Sequence, residues 1–543
     1  MTFVDLLTLL GGTGRFQVTY VAALALPLLM LASHNLLQNF TAGVPEHHCR
    51  PHPLPNASAL PLHVLIPSDG RQRPQRCRRY VEPQWHLLEP DNGNGNGNGT
   101  ATTEPCSDGW TYQDGIFSHT IITEWDLVCE SKRLRQVAQS IYMAGILLGS
   151  GLFGVLSDKF GRRALLSWCY LQLGVTGVGT AAAPTFVTYC LGRFLTGLAM
   201  AGVSLNSACL CTEWVPTEAL ATVGTINGYC YTLGQFVLVA LAFGLPHWRW
   251  LQLAISLPFF LFFLYSRLFV ESARWQVIVG RPDLALEGLR KVARVNGRKE
   301  EGDKLSEEAL RTLVRREPPP PGGALVALVA TPGMRTVSCG VSLIWFSTSF
   351  AYYGLALDLQ GFGVDIYLSQ LVFGAVDIPA KMASALVISC LGRRVAQGGS
   401  LALAGACILA NVFVPMELRL LRMALAVLGK GSLAASFNCA YIFSGELFPT
   451  LIRQTGMGLA STMARVGGLV APLVLLATDV TPFLPLLIYG AAPIGAAIAA
   501  SFLPETRNRA LPETLEDVER RAGHRGDEEV TVPLSVPKSP GGP

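Results

Sequence analysis

The stretch GVLSDKFGRR at residues 154–163 lies between two long apolar runs, and its ending returns as LGRR at residues 391–394. Other landmarks return at nearly the same offset: EWVPT at 213–217 as ELFPT at 446–450, and Arg193 as Arg422. A looser match links ESAR at 271–274 with ETR at 505–507. Four echoes separated by 229–234 residues predict two halves that share one internal order.

The composition predicts a membrane protein. Half of the 543 residues are hydrophobic and 15% are charged, against about 25% charged in soluble domains. Apolar runs of about twenty residues predict an all-α, multi-pass protein, because helices satisfy their backbone hydrogen bonds internally in lipid. The first run lacks a basic leader and a cleavage site, so we expect it to remain as a span. Twelve spans are predicted, at 17–38, 136–156, 164–183, 186–210, 219–244, 251–270, 337–359, 366–390, 396–414, 420–445, 452–477 and 482–503.

Two long insertions separate these spans into domains. We predict an N-terminal six-helix half at 17–270, including an extracellular loop at 40–134, and a C-terminal six-helix half at 337–503. Residues 1–16 are expected to be a cytoplasmic N-terminus, 271–336 a cytoplasmic loop with short helices, and 504–543 a largely disordered cytoplasmic tail. Two parallel halves of six spans are typical of the major facilitator fold, with a site near the midplane between the halves.

Short basic loops set the predicted orientation. Basic clusters follow the second and eighth spans, so the positive-inside rule places both termini in the cytoplasm. The first insertion is then extracellular. It holds four cysteines, for which three disulfide pairings remain open, and three N-glycosylation sequons. The residues are Cys49, Cys77, Cys106 and Cys129, and Asn39, Asn56 and Asn98.

The charged loops are also expected to act as gates. Asp158 and the arginines of the first loop can form a charge network that holds one face shut in one state, and glycines let the helices approach closely. The echoed residues of the second half are given the same gating or structural role. The set comprises Asp158, Arg162, Arg163, Glu213, Asp377, Arg393, Arg394 and Glu446.

Several longer stretches resemble one transporter family. SHNLLQNFTA, TEWDLVC, ESARW, AYYGLALDLQGFG, FGAVDIPAK, GKGSLAASFNC and IRQTGMG look like the organic anion transporter branch of the organic ion transporters, solute carrier family 22, and most like its multispecific renal-type members. The resemblance covers essentially the whole chain. It implies transport of many organic anions at an epithelial plasma membrane, often in exchange for an intracellular dicarboxylate.

Arg465 is the charge that predicts the sign of the cargo. It lies about thirteen residues into span eleven, roughly 20 Å along the helix axis, and that span contains no acid. An arginine at this depth costs about 2.5–3.5 kcal/mol on insertion scales. A pore-facing water cavity or a bound anion would offset the charge, and a guanidinium binds a carboxylate or sulfonate in a bidentate way. The small neighbours Ser461, Ala464, Gly467 and Gly468 are expected to leave room for it.

Aromatic and polar residues on other spans complete the predicted substrate site. The resemblance favours Tyr353, Phe437, Tyr441 and Tyr231 as its walls, while Phe346 and Phe350 are more typical of helix packing. Lys381 either binds substrate or neutralises Asp377 four residues before it. We also include Trp345 and Asn35 in the substrate site, and the resemblance suggests Ser204 as a chloride ligand.

The expected partners are small organic anions such as carboxylates and sulfates, a dicarboxylate counter-substrate, chloride and membrane lipid. Without an ATP-binding motif, transport is expected to be driven by solute gradients or exchange. No metal cluster or nucleophile–base arrangement is visible, so we expect no enzyme activity, cofactor, metal or nucleic-acid partner. A urate- or steroid-sulfate-preferring exchanger remains an alternative. A cation or zwitterion carrier of the same fold is disfavoured, because its cation-selective members have an acid where Arg465 stands.

Overall fold

The chain is described by a computed structural model at residues 3–56, 59–88, 101–313, 322–450, 452–509, 511–512 and 514–528. It divides into two compact units. The N-terminal unit contains residues 17–214 and 218–272. The C-terminal unit contains residues 273–543 together with 1–16 and 215–217.

Within the described residues, helices occur at all twelve predicted spans. Ten of these helical segments are long and apolar enough to cross a membrane by length and composition. The remaining two, at 162–181 and 332–356, are 20 and 25 residues long. The predicted all-helical, twelve-span membrane protein is therefore confirmed.

The first span is broken into three helices. A break at Pro27 separates the first two of them, where proline lacks the N–H that would continue the hydrogen-bond ladder. Short strands and helices follow in the first insertion. In chain order the elements are α1 (Phe3–Leu9), α2 (Arg15–Ala25), α3 (Leu28–Asn35), α4 (Gln38–Thr41), β1 (His47–Cys49), α5 (Leu62–Leu65), β2 (Arg78–Tyr80), β3 (Thr103–Pro105), β4 (Trp110–Tyr112) and α6 (Ile121–Trp125).

The first insertion is built on two small antiparallel sheets and two disulfides. Strand β1 pairs with β4 and β2 pairs with β3. Of the three pairings left open by the sequence, the structure has Cys49 bonded to Cys106 and Cys77 bonded to Cys129. The side chain of Arg79 is 2% exposed and binds Glu104, its partner on the neighbouring strand, at 2.9 Å, so this partly buried ion pair reinforces the pairing of β2 with β3.

The three sequons differ in accessibility. Asn39 lies in α4 with only 2% of its surface exposed, so its burial disfavours a glycan there, and glycosylation at this sequon stays a prediction. Asn56 is exposed in a turn with a φ of 75°, a conformation that asparagine tolerates well. Asn98 lies outside the described residues.

The five later spans of the N-terminal unit follow this insertion. The longest of their helices, Phe186–Trp214, has 29 residues. Several small residues on its buried face allow neighbouring helices to pack closely. The elements are α7 (Leu134–Phe160), α8 (Arg162–Ala181), α9 (Phe186–Trp214), α10 (Leu220–Gly244), α11 (Trp248–Ser256) and α12 (Pro258–Ser266), the last two forming one span.

Helix α11 is tied to the insertion by a polar contact. His247 caps the helix by accepting a hydrogen bond from the backbone N–H of Arg249, and its ring stacks on His119 with centroids 5.0 Å apart. Glu124 of α6 accepts from the Trp248 indole at 2.8 Å and forms an ion pair with Arg249. The pKa of His247 is lowered, first by desolvation on burial and then by the charge of His119. Arg249 adds to this lowering, while Glu124 opposes it.

Short helices fill the second insertion, as predicted. They are α13 (Ala273–Ile278), α14 (Pro282–Val295), α15 (Lys299–Asp303), α16 (Glu307–Leu313) and α17 (Ala324–Ala327). The N-terminal segment docks on this group. Asn296 accepts a hydrogen bond from the backbone N–H of Phe16 and donates one to the carbonyl of Leu10, each at 2.9 Å. Arg274 covers the ring of Phe3 at 4.9 Å.

The remaining elements are α18 (Pro332–Ala356), α19 (Ile366–Ala375), α20 (Asp377–Leu391), α21 (Arg393–Phe413), α22 (Arg419–Leu447), α23 (Arg453–Val474), α24 (Leu484–Ser501) and α25 (Leu515–Glu528). Helices α19 and α20 form one span. Val518 of α25 joins a buried cluster that includes Met334, Phe443 and Leu503. As far as Glu528, this packed helix contradicts the expectation of a largely disordered tail.

Candidate substrate site

Arg465 lies in the middle of α23 and is partly buried. It is within electrostatic range of Tyr353 on α18. The two helices cross closely at Gly467, where a Cβ atom would lie 2.5 Å from the carbonyl oxygen of Phe346 and 3.1 Å from the backbone nitrogen of Phe350. The space beside this glycine is therefore filled by α18, and the expectation that it leaves room for an anion is wrong.

An aromatic cluster lines α18 and α22 near this crossing. Phe437 lies 6.1 Å from Trp345 and 5.4 Å from Tyr352, and Tyr352 makes an edge contact with Tyr353 at 5.5 Å, measured between ring centroids. The Trp345 indole donates to the Ser444 hydroxyl at 2.9 Å. The structure thus brings together three of the predicted wall residues. Tyr352 was missed, although the adjacent tyrosines in AYYG place it one residue from Tyr353.

A buried ion pair connects α20 with α22. The Lys430 Nζ atom lies 3.3 Å from the Asp377 carboxylate and donates to the Phe373 carbonyl at 2.6 Å. The ammonium also lies 5.1 Å from the Tyr352 ring centroid. Lys430 is fully buried, whereas Lys381, one helical turn beyond Asp377, is partly exposed. Lys430 thus makes a hydrogen-bonded ion pair with Asp377, and the same carboxylate also interacts electrostatically with Lys381.

The other aromatic candidates of this unit separate into packed and exposed residues. Phe346 stacks on Phe350 at 5.7 Å, and Phe350 packs against Tyr489 of α24 at 5.0 Å. Both are therefore engaged in helix packing, which the sequence favoured for them. Tyr441 is 65% exposed. It lies one turn beyond Phe437 on α22 and is not part of the aromatic cluster.

The predicted residues of the N-terminal unit lie on α3, α9 and α10. Asn35 is buried and accepts a hydrogen bond from the Tyr142 hydroxyl at 2.7 Å, which gives it a packing role. The guanidinium of Arg193 lies 4.0 Å from the centroid of the same ring. Tyr231 and Ser204 are partly exposed.

Comparison with known proteins identifies the family. The pattern of the family described as "Sugar (and other) transporter" matches residues 102–518. Solute carrier family 22 member 6-B of Xenopus laevis is 51% identical over 543 residues, which cover 99% of this chain and 98% of the relative. Solute carrier family 22 member 6 of Oryctolagus cuniculus is 53% identical and covers 96% of this chain and 95% of the relative.

The chain belongs to solute carrier family 22. The predicted resemblance to this family, at its organic anion transporter branch, is thereby confirmed, and the protein is a carrier rather than an enzyme. Among solved structures, the inward open xylose transporter XylE from E. coli matches with a TM-score of 0.59 and 16% identity, covering 93% of this chain and 99% of that one. A double-tryptophan XylE variant matches with a TM-score of 0.57 and 14% identity, covering 94% and 99%. These likenesses show the major facilitator fold.

In this family 22 carrier, the loop between α7 and α8 holds a compact charge network. Arg162 binds Asp158 at 3.1 Å and lies 3.7 Å from Glu213. Glu271 accepts hydrogen bonds from the backbone N–H groups of Arg162 and Arg163, where α8 begins. An anionic side chain at a helix N-terminus is favourable, because the unpaired N–H groups and the helix dipole are positive there.

The loop between α20 and α21 repeats this arrangement in the C-terminal unit. Arg393 binds Glu446 at 3.2 Å, and Glu505 accepts from the backbone N–H groups of Arg393 and Arg394 at 3.0 and 3.1 Å. The preceding glycines also correspond, since Gly161 has a φ of 98° and Gly392 a φ of 96°. Three of the four echoes found in the sequence therefore correspond to equivalent contacts in three dimensions, whereas Arg193 is buried against Tyr142 and Arg422 is partly exposed beside Met416.

Proposed function

We propose that this carrier transports many kinds of organic anions, chiefly carboxylates and sulfates, and that Arg465 binds their charged group. The observation that carries the proposal is the partly buried arginine beside Tyr353, next to the cluster of Trp345, Tyr352 and Phe437. Aromatic faces tolerate many ligand shapes, while a guanidinium selects for negative charge.

The burial of the cations favours different roles for them. Lys430 is fully buried against Asp377 and stabilises the packing of α20 on α22. Arg465 and Lys381 keep part of their surface accessible, and a substrate can contact that part. We therefore propose Arg465 as the main anion ligand, with Lys381 as a second cation for substrates that have two acidic groups.

Uptake by cells expressing the Arg465→Lys variant tests the site. The charge is kept and the bidentate geometry is lost, so uptake of labelled p-aminohippurate should fall at least ten-fold when normalised to surface protein. Arg422→Lys, the same change at the first turn of α22, is the control and should leave uptake unchanged. Equal uptake by Arg465→Lys and the unaltered carrier would remove Arg465 from the site.

The sign of the cargo is tested by competition. Tetraethylammonium and p-aminohippurate are offered to the same cells, and only the anion should accumulate. Preferential uptake of the cation would assign the chain to the cation carriers of the same fold. Preference for urate or for a steroid sulfate over p-aminohippurate would support the narrower anion exchanger.

Exchange is the proposed energy source. Cells preloaded with glutarate should take up p-aminohippurate several-fold faster than unloaded cells if a dicarboxylate leaves as the substrate enters. Absence of this stimulation would contradict exchange while leaving anion transport intact. Chloride binding at Ser204 is tested by replacing chloride with gluconate, which should slow uptake in the unaltered carrier more than in Ser204→Ala.

We further propose alternating access at the plasma membrane of an epithelium, with both termini cytoplasmic. The networks around Arg162 and Arg393 would stabilise one of the two states. Glu213→Gln and Glu446→Gln should each change the maximal rate more than the apparent affinity. An epitope tag at either terminus should be accessible to antibody only after permeabilisation.

A further inference from the structure

A cavity of about 640 Å³ lies between the beginning of α18, the end of α24 and helix α25, all within the C-terminal unit. Its volume is within the roughly 300–1,000 Å³ range of ligand pockets. Most of the lining is apolar and includes Val337, Leu343, Leu447, Ala499 and Phe502. None of these residues belongs to the candidate substrate site.

The charged groups of the cavity lie on α25. Glu519 accepts a hydrogen bond from the backbone N–H of Gly333 at 2.8 Å, so its negative charge is directed at the N-terminus of α18. Arg521 is partly buried and donates to the Glu446 carbonyl at 3.2 Å. Arg509, Glu446 and Asp517 are all within electrostatic range of Arg521. The cavity lining therefore combines an apolar wall with one guanidinium, Arg521, and one carboxylate, Glu519, whose charge is offset by the N-terminus of α18.

The position of the cavity favours a lipid as its occupant. It lies where one membrane span begins and another ends, which is the level of the lipid headgroups. Leu343 is 41% exposed and Phe502 is 60% exposed on these spans, so the apolar wall continues onto surface that contacts acyl chains. A phospholipid has the same division into an apolar and an anionic part.

We propose that this cavity binds an anionic phospholipid of the surrounding bilayer. An acyl chain lies against Leu343, Ala499 and Phe502, and the phosphate lies at Arg521. The lipid thereby joins α25 to the ends of α18 and α24. Basic residues between transmembrane helices near the membrane surface are a known means of holding acidic headgroups.

The full-length carrier in phosphatidylcholine nanodiscs, titrated with palmitoyl-oleoyl phosphatidylglycerol, provides the test. Native mass spectrometry should detect a retained phosphatidylglycerol, and Arg521→Gln should weaken its retention about five-fold, as expected for one cation near the surface. The matched control is Arg520→Gln, which removes the same charge from the next residue of α25. Arg520 is 73% exposed and lies outside the cavity lining. Equal effects of the two variants would overturn the assignment.

A second measurement does not depend on charge. A phosphatidylglycerol with a diazirine on its acyl chain should cross-link to peptides spanning 332–343 and 499–504, and Ala499→Trp, which fills the cavity, should abolish these cross-links. Unlabelled phosphatidylglycerol should compete, while phosphatidylcholine and glycerol phosphate should not. Competition by phosphatidylcholine would indicate ordinary boundary lipid, and competition by glycerol phosphate would indicate a site for soluble anions. Either result would refute the proposal.

Discussion

The ion pair between Asp377 and Lys430 leads to the sharpest prediction about stability. The Lys430 Nζ atom lies 3.3 and 3.4 Å from the two carboxylate oxygens, and the two side chains are 0% and 3% exposed. In Asp377→Asn, the ammonium stays buried without its carboxylate. Removing one partner of a buried pair costs about 3–5 kcal/mol. The folded population should therefore fall by roughly two to four orders of magnitude relative to the unfolded one.

Thermal unfolding of the purified carrier and its amount at the cell surface measure this loss. The double variant Asp377→Asn with Lys430→Met removes both charges, so it should be more stable than Asp377→Asn alone. A double-mutant cycle isolates the coupling between the two residues. A coupling near zero would refute the account of the pair as a stabilising contact.

Lys381→Met serves as the contrast on the same helix. Lys381 is partly exposed, so its loss should change thermal stability little. If it contacts substrate, uptake of a dicarboxylate should fall more than uptake of a monocarboxylate. Loss of surface protein in Lys381→Met comparable to that in Asp377→Asn would contradict the division into a structural and a binding lysine.

Three further changes test the geometry. Gly467→Ala forces a Cβ atom against the Phe346 carbonyl and should destabilise the carrier by about 1–3 kcal/mol in thermal unfolding. Gly458→Ala is the control and should be neutral, because a Cβ atom there would meet no heavy atom of another segment within 4 Å. Because the folded-state pKa of His247 is lowered, protons bind the unfolded state more readily and stability should fall as the pH decreases below about 6.5. His247→Asn keeps a capping side chain and should flatten this dependence in pH-resolved unfolding. Asn296→Ala removes both hydrogen bonds to the N-terminal segment and should speed hydrogen exchange across residues 3–16, while residues 282–295 of α14 remain protected.

Much of the fold could be predicted because each relevant signal is local or repeated. A run of apolar residues predicts a span by itself, and the recurrence of the GRR motif at a fixed offset indicates the duplication. The contact of Arg162 with Glu213 accordingly has a counterpart in the contact of Arg393 with Glu446. Helix α25 was missed because its polar, glycine-containing sequence has few apolar positions, and its stability depends on distant contacts such as Glu519 with Gly333.

The site could be predicted by residue type and less well by partner. Charge and depth identified Arg465, Asp377 and Lys381, but periodicity along α20 could not show that Lys430 of α22 contacts Asp377. That contact depends on α22 passing beside α20 at Lys430, a separation of 53 residues in sequence. In the same way, small residues around Arg465 indicated space, whereas at Gly467 they allow the backbone of α18 to approach. Sequence alone does not distinguish room for a ligand from room for a neighbouring helix.

The charged residues of the loops and those inside the membrane spans differ in how they are distributed between the two units. The loop network is present in both units with the same contacts, as expected if an ancestral half was duplicated. Inside the spans, Arg193 and Arg422 correspond, but four other charges have no counterpart: positions 229–234 residues before Asp377, Lys381, Lys430 and Arg465 hold only uncharged residues. The loop contacts are therefore common to both halves, whereas these four membrane charges are present in one. Since a charge within a span is costly unless it serves packing or a ligand, this asymmetry supports the C-terminal unit as the source of the anion-selecting cation.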